Sequence, residues 1–118
     1  MHLDVDNLTS RGETASPYEI SSLMFKLYAK MSEFFLTKKA LSFFMGGDNF
    51  MVVANSNHRE SAEEFIEIIK NEFGIDLNCG IGTGKTARSA AKFATRSLDT
   101  IRETVSYTHL TLPTICSV

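Results

Sequence analysis

The sequence predicts an α+β fold: a βαββαβ antiparallel sheet of the ferredoxin-like kind, with helices packed on one face. Three observations predict it. Apolar residues recur at helical spacing in three stretches and at strand spacing in the segments between them. Ser-x-x-Glu capping boxes precede the first two helical stretches. A Gly-Gly-Asp-Asn turn joins two apolar segments as a β-hairpin would. At 118 residues the chain has room for one domain.

Met1 to Asp6 alternates Met1, Leu3 and Val5 with His2, Asp4 and Asp6, which reads as a strand with one buried face. Asn7 to Ala15 is polar, contains Gly12, and reads as a loop. Ser16 and Glu19 form a capping box with Pro17 at the first helical position, where its missing N–H costs nothing. The helix they open is expected to reach about Leu36, with Ile20, Leu23, Leu27, Met31 and Phe34 as its apolar stripe. Ala40 to Met45 reads as a buried strand, Gly46 to Asn49 as a turn, and Phe50 to Ala54 as the second hairpin strand. Ser61 and Glu64 form the second capping box, ahead of a helix burying Phe65, Ile68, Ile69 and Phe73, with Gly74 as its left-handed stop. Leu77, Cys79 and Ile81 alternate on a last strand. A final helix from about Thr86 to Ile101 turns Ala87, Ala90, Ala94, Leu98 and Ile101 inward.

Twelve Lys and Arg against 14 Asp and Glu leave a net charge of -2, which argues against an electrostatic nucleic-acid or membrane-surface partner. No apolar run approaches the ~20 residues of a membrane span, so a cytoplasmic protein is expected. Cys79 and Cys116 make neither a disulfide framework nor a metal-ligand spacing. All charged residues lie between Asp4 and Glu103. The stretch Val105 to Thr114 resembles an in-frame translation of a transposase adapter used to prepare sequencing libraries. The domain is therefore expected at 1–103, as a fragment of a longer protein, with 104–118 as a non-native tail in which His109 and Cys116 carry no function.

In the expected topology the first strand is central and its end meets the hairpin tip. Asp4 and Asp6 then lie near Asp48. Three carboxylates converging from two strands repel one another unless a cation neutralises them. They suit Mg²⁺, which takes one or two protein carboxylates together with phosphate oxygens and water. Gly46 and Gly47 allow a ligand to approach the backbone closely. Gly80 to Thr86 imitates a phosphate-binding Walker A loop, but Cys79 stands where the first glycine belongs and no parallel sheet can follow. Lys85, at the start of the final helix, remains a candidate phosphate contact. Arg88, Lys92 and Arg96 read as a solvated helix face. His2 and His58 have no partner at ligand spacing and are not site candidates.

Leu3-Asp4-Val5-Asp6-Asn7, Phe43-Phe44-Met45-Gly46-Gly47-Asp48-Asn49-Phe50-Met51 and Gly80-Ile81-Gly82-Thr83-Gly84-Lys85-Thr86-Ala87 stand in that order. Together they resemble the C-terminal half of archaeal-type GTP cyclohydrolase III, a palm-like fold related to the GGDEF-type nucleotidyl cyclases. The resemblance covers about Met1 to Glu103. It implies Mg²⁺-dependent hydrolysis of GTP that opens the guanine imidazole ring, leaving a formylamino-pyrimidine ribonucleotide monophosphate and releasing the outer phosphates. It further implies metal binding by Asp4, Asp48 and the Val5 carbonyl. Nucleotide contacts are implied for Asp6, Asn7, Gly46, Gly47, Asn49 and Lys85, and a homo-oligomer for the two-half protein. No residue is identified as the group that activates water. Asn49 stands where the diguanylate cyclases carry an acid, which argues against cyclic dinucleotide synthesis. The alternatives are such a cyclase and a non-catalytic GTP-binding regulatory module.

Overall fold

The computed structural model describes residues 1–6, 16–55 and 58–104. Its elements are β1 (His2–Val5), α1 (Pro17–Thr37), β2 (Leu41–Gly46), β3 (Asn49–Val53), α2 (Arg59–Phe73), β4 (Leu77–Gly80) and α3 (Ala87–Thr104). The expected loop at Asn7 to Ala15, the site residue Asn7 and the stretch from Val105 onward lie outside the described residues. The sheet order is β2-β3-β1-β4, with every neighbouring pair antiparallel. This is the predicted α+β, ferredoxin-like arrangement, and β1 is central as expected.

The two helices inside the βαββαβ run share one sheet face. Leu3 and Val5 of β1, Phe50 and Val52 of β3 and Leu77 and Cys79 of β4 are buried there. Against them pack Met24, Leu27, Met31 and Phe35 of α1 and Ala62, Phe65, Ile66 and Ile69 of α2. The Phe65 ring lies 5.3 Å from both the Phe34 and Phe35 rings and closes the helix pair over the sheet. α3 follows the last strand, so no crossover rule holds it to that face. It lies across the other one, so the expectation of helices on one face holds for the two helices inside the βαββαβ run and not for α3. His2 pairs with Gly80 and Met51, so these residues share the face opposite Leu3. There His2 Nδ1 reaches Thr95 Oγ1 at 3.0 Å, and Gly80 lies under the backbone of Ala94 and Leu98. β4 is thus covered on both sides, and all four of its residues are buried.

Four local expectations change. The buried track of α1 is Met24, Leu27, Met31 and Phe35, while Ile20, Leu23 and Phe34 flank it half-buried. The two tracks share Leu27 and Met31. β2 is an edge strand, not a buried one: Leu41, Phe43 and Met45 are exposed on the face that α3 leaves uncovered. Ser61 does not cap α2, which begins two residues earlier with His58 as N-cap. The earlier turn holds the fully buried Ala62, whose N–H donates to the His58 carbonyl at 2.9 Å. In α3, Ala94, Leu98 and Ile101 are buried and Ala90 is half-buried, but Ala87 is exposed at the first turn. The Ser16–Glu19 capping box and the left-handed Gly74 stop form as the sequence predicts.

Candidate functional site

The end of β1 and the hairpin tip meet. The Val5 N–H donates to the Asp48 carbonyl at 3.3 Å, and the Asp6 N–H donates to the Asp76 carbonyl at 2.8 Å. The tip is shaped by Gly46 at φ +93° and Gly47 at φ +59°, with a bulge between Phe44 and Gly46. A side chain at φ above zero is strained, so the double glycine is what allows this turn. A Cβ at either glycine would meet nothing within 4 Å, which leaves open space in front of the tip.

Asp4 is 6 % exposed, and its neighbours in register are Asn49 on β3 and Asn78 on β4. These three polar side chains share the α3-side face, because paired residues on neighbouring strands point the same way. Asn78 is also buried, and its Oδ1 has no hydrogen-bond partner among the described residues. The Asn49 Nδ2 donates to Asp48 Oδ1 at 3.0 Å. On the other side of Asn49, His2 Nε2 lies 2.9 Å from its Oδ1.

The structure therefore brings Asp4, Val5, Asp48, Asn49, Gly46 and Gly47 to one end of the sheet, with Asp6 just past it. Lys85 is not brought there. β4 runs against β1, with Leu77 opposite Val5 and Gly80 opposite His2. The loop leaving Gly80 consequently emerges at the Met1 end, about 10 Å of strand away. It borders a cavity of about 490 Å³ lined by Met1, Val52, His58, Gly82, Lys85 and Ala90, among others. Two glycines of this loop serve packing: a Cβ at Gly80 or Gly82 would collide with α3 backbone. The first turn of α3 already has a local acceptor, since the Ser89 N–H donates to Thr86 Oγ1 at 3.1 Å.

Sequence reasoning set His2 aside, yet it stands beside Asn49. The available signal was its place two residues before Asp4, on the same strand face. Asn78 and Thr95 carried no comparable signal, because only strand and helix pairing brings them to β1.

Among the described residues, no group of three His, Cys, Asp or Glu side chains gathers as a metal cage. Asp4, Asp48 and the Val5 carbonyl would offer a smaller and harder set, two carboxylates and a backbone carbonyl, all oxygen. That set fits Mg²⁺, which keeps waters and substrate phosphates in its shell and needs no all-protein cage. Among the described residues, no helix is long and apolar enough to cross a membrane.

A family model described as GTP cyclohydrolase III matches residues 1–114. A protein named GTP cyclohydrolase III from Methanococcus maripaludis is 38% identical over 105 residues, covering 86% of this chain and 39% of the relative. Its namesake from Methanocaldococcus jannaschii is 34% identical over 102 residues, covering 86% and 38%. That from Methanobrevibacter smithii is 32% identical over 103 residues, covering 86% and 41%. The chain spans about two fifths of the length of these curated relatives.

Proposed function

The chain belongs to the GTP cyclohydrolase III family, and from that premise we propose that it supplies the metal–phosphate half-site of an enzyme that hydrolyses GTP with Mg²⁺. The reaction opens the guanine imidazole ring to 2-amino-5-formylamino-6-ribosylamino-4(3H)-pyrimidinone 5′-phosphate and releases the outer phosphates. One observation carries the reading: the Val5–Asp48 hydrogen bond, which holds the end of β1 against the hairpin tip.

Asp4, Asp48 and the Val5 carbonyl would hold the ion. When bound, Mg²⁺ neutralises triphosphate charge and lowers the pKa of a water. The chain's own groups do the rest. Gly46 and Gly47 admit the nucleotide to the tip, and Asn49 steadies Asp48 through its amide. Asp6 stands at the mouth of the site as a nucleotide contact. Lys85 has no part in this grip, because its loop leaves the sheet at the opposite end. The reading carries with it a cytoplasmic homo-oligomer whose site is completed by the longer family chain.

This half-site alone is expected to be inactive, so the test is incubation of the full-length, two-half protein with GTP and Mg²⁺, with products identified by mass spectrometry. A formylamino-pyrimidine ribonucleotide is expected. A cyclic dinucleotide, or GTP bound without turnover, would overturn the reading. Asp48→Ala should abolish Mg²⁺-dependent turnover while leaving the melting temperature almost unchanged, since Asp48 lies half-buried in a turn. Turnover that survives the change would remove Asp48 from the site.

A further inference from the structure

We propose that His2 is a positioning residue for the divalent-ion site: acting through Asn49, it fixes the carboxylate of Asp48, and Thr95 fixes His2 in turn. The proposal rests on the metal reading above. It concerns a residue that neither metal nor nucleotide need touch.

The direction of hydrogen bonding along the row follows from its last member. An ionised carboxylate only accepts, so the Asn49 group facing Asp48 Oδ1 is the Nδ2 amide, 3.0 Å away. The Asn49 Oδ1 is then turned toward His2 Nε2, at 2.9 Å, and can only accept. His2 Nε2 must therefore carry the proton. On the other side of the ring Nδ1 lies 3.0 Å from the Thr95 hydroxyl, which can donate or accept and so holds the ring in place either way. Donation runs from His2 through Asn49 to Asp48.

Each link joins a different element: α3, β1, the start of β3 and the hairpin tip. The tip has two glycines and open space around them, so its local geometry alone does not hold the Asp48 side chain. The row supplies that restraint. It occupies Oδ1 of Asp48 and, among the described residues, leaves the second oxygen for a cation. Groups one bond out from a metal ligand typically set its affinity by ~10–100-fold, by fixing the ligand's orientation.

The experiment titrates Mn²⁺ into the protein and follows free Mn²⁺ by electron paramagnetic resonance. His2→Phe keeps the bulk beneath α3 and removes the donor. His2→Gln keeps a donor that can reach Asn49. His2→Phe should weaken Mn²⁺ binding, by less than the ~10-fold typical of a group bonded directly to a metal ligand because His2 acts through Asn49, and His2→Gln should recover most of that loss. Equal affinity in wild type and His2→Phe would overturn the proposal. So would a folded His2→Gln that binds as poorly as His2→Phe. If His2→Phe does not fold, nitrogen NMR of wild-type His2 decides: a ring that carries a proton at Nε2 supports the row, and a ring bare at Nε2 overturns it. Asp48→Asn separates the two levels. A wild type that binds Mn²⁺ no better than Asp48→Asn removes the metal reading itself, and this proposal with it.

Discussion

Gly80 of β4 lies directly under the carbonyl of Ala94 on α3, so close that a methyl group added to Gly80 would collide with it. The next obstacle is also backbone, the Leu98 amide, so no side chain can swing aside to make room. This contact lets α3 settle on the sheet and hold Thr95 over His2.

Two glycine substitutions should therefore behave differently. Gly80→Ala should cost about 3 kcal/mol, from overpacking between a strand and a helix that cannot give way. Gly47→Ala meets open space and carries only the penalty of a left-handed conformation at φ +59°, about 1 kcal/mol. Urea denaturation of the two variants checks this. Equal losses would contradict the close packing of α3.

The two serines predicted as caps should also separate. Ser16 accepts from the Glu19 N–H at 3.2 Å, and Glu19 Oε2 accepts from the Ser16 N–H at 3.1 Å. Ser16→Ala should lower stability by about 1 kcal/mol. Ser61 is the third residue of α2 and makes no capping bond, so Ser61→Ala should be neutral or slightly stabilising. Thermal melts of both variants, compared with wild type, test the assignment.

The exposed pair at the end of α2 makes a pH prediction. Lys70 Nζ donates to Asp76 Oδ1 at 2.6 Å. That hydrogen bond, and then the carboxylate's charge, raise the Lys70 pKa above its ordinary 10.5. A raised lysine favours the folded state while it is protonated. Its contribution is therefore fully present below pH 10.5 and is lost as pH rises through the raised value. The stability gap between wild type and Asp76→Asn should hold steady on the alkaline side up to about that pH, then close. Because half of the Lys70 side chain is in water, the gap should be small and should shrink further in high salt. A gap that widens above pH 10.5 would contradict the pairing.

Much of the candidate site is legible in the sequence alone. Asp4 and Asp48 sit in short motifs whose chemistry is local: alternation puts Asp4 on a strand face, and two glycines demand a turn at Asp48. That Lys85 leaves the sheet at the other end is not legible locally. A glycine-rich loop before a helix reads as an anion cradle wherever it lies, and nothing near it in sequence says which end of the sheet it leaves. Gly80 and Gly82 looked like cradle residues, but they are spacers under α3. The role of His2 is not legible in the sequence because its partners, Asn49 and Thr95, are 47 and 93 residues away.

The amino-acid order alone determined seven elements, their sequence along the chain, an antiparallel sheet with β1 inside it, and family membership. Each of these rests on chemistry among near neighbours: hydrophobic period, capping side chains, left-handed glycine, motif spacing. Tertiary structure decided that β2 is the edge, that α3 crosses the face opposite α1 and α2, that Lys85 stands apart from the carboxylates, and that His2 stands among them. Those outcomes depend on strand pairing between distant segments. An antiparallel neighbour reverses which end of the sheet a loop emerges from, and no local pattern carries that information.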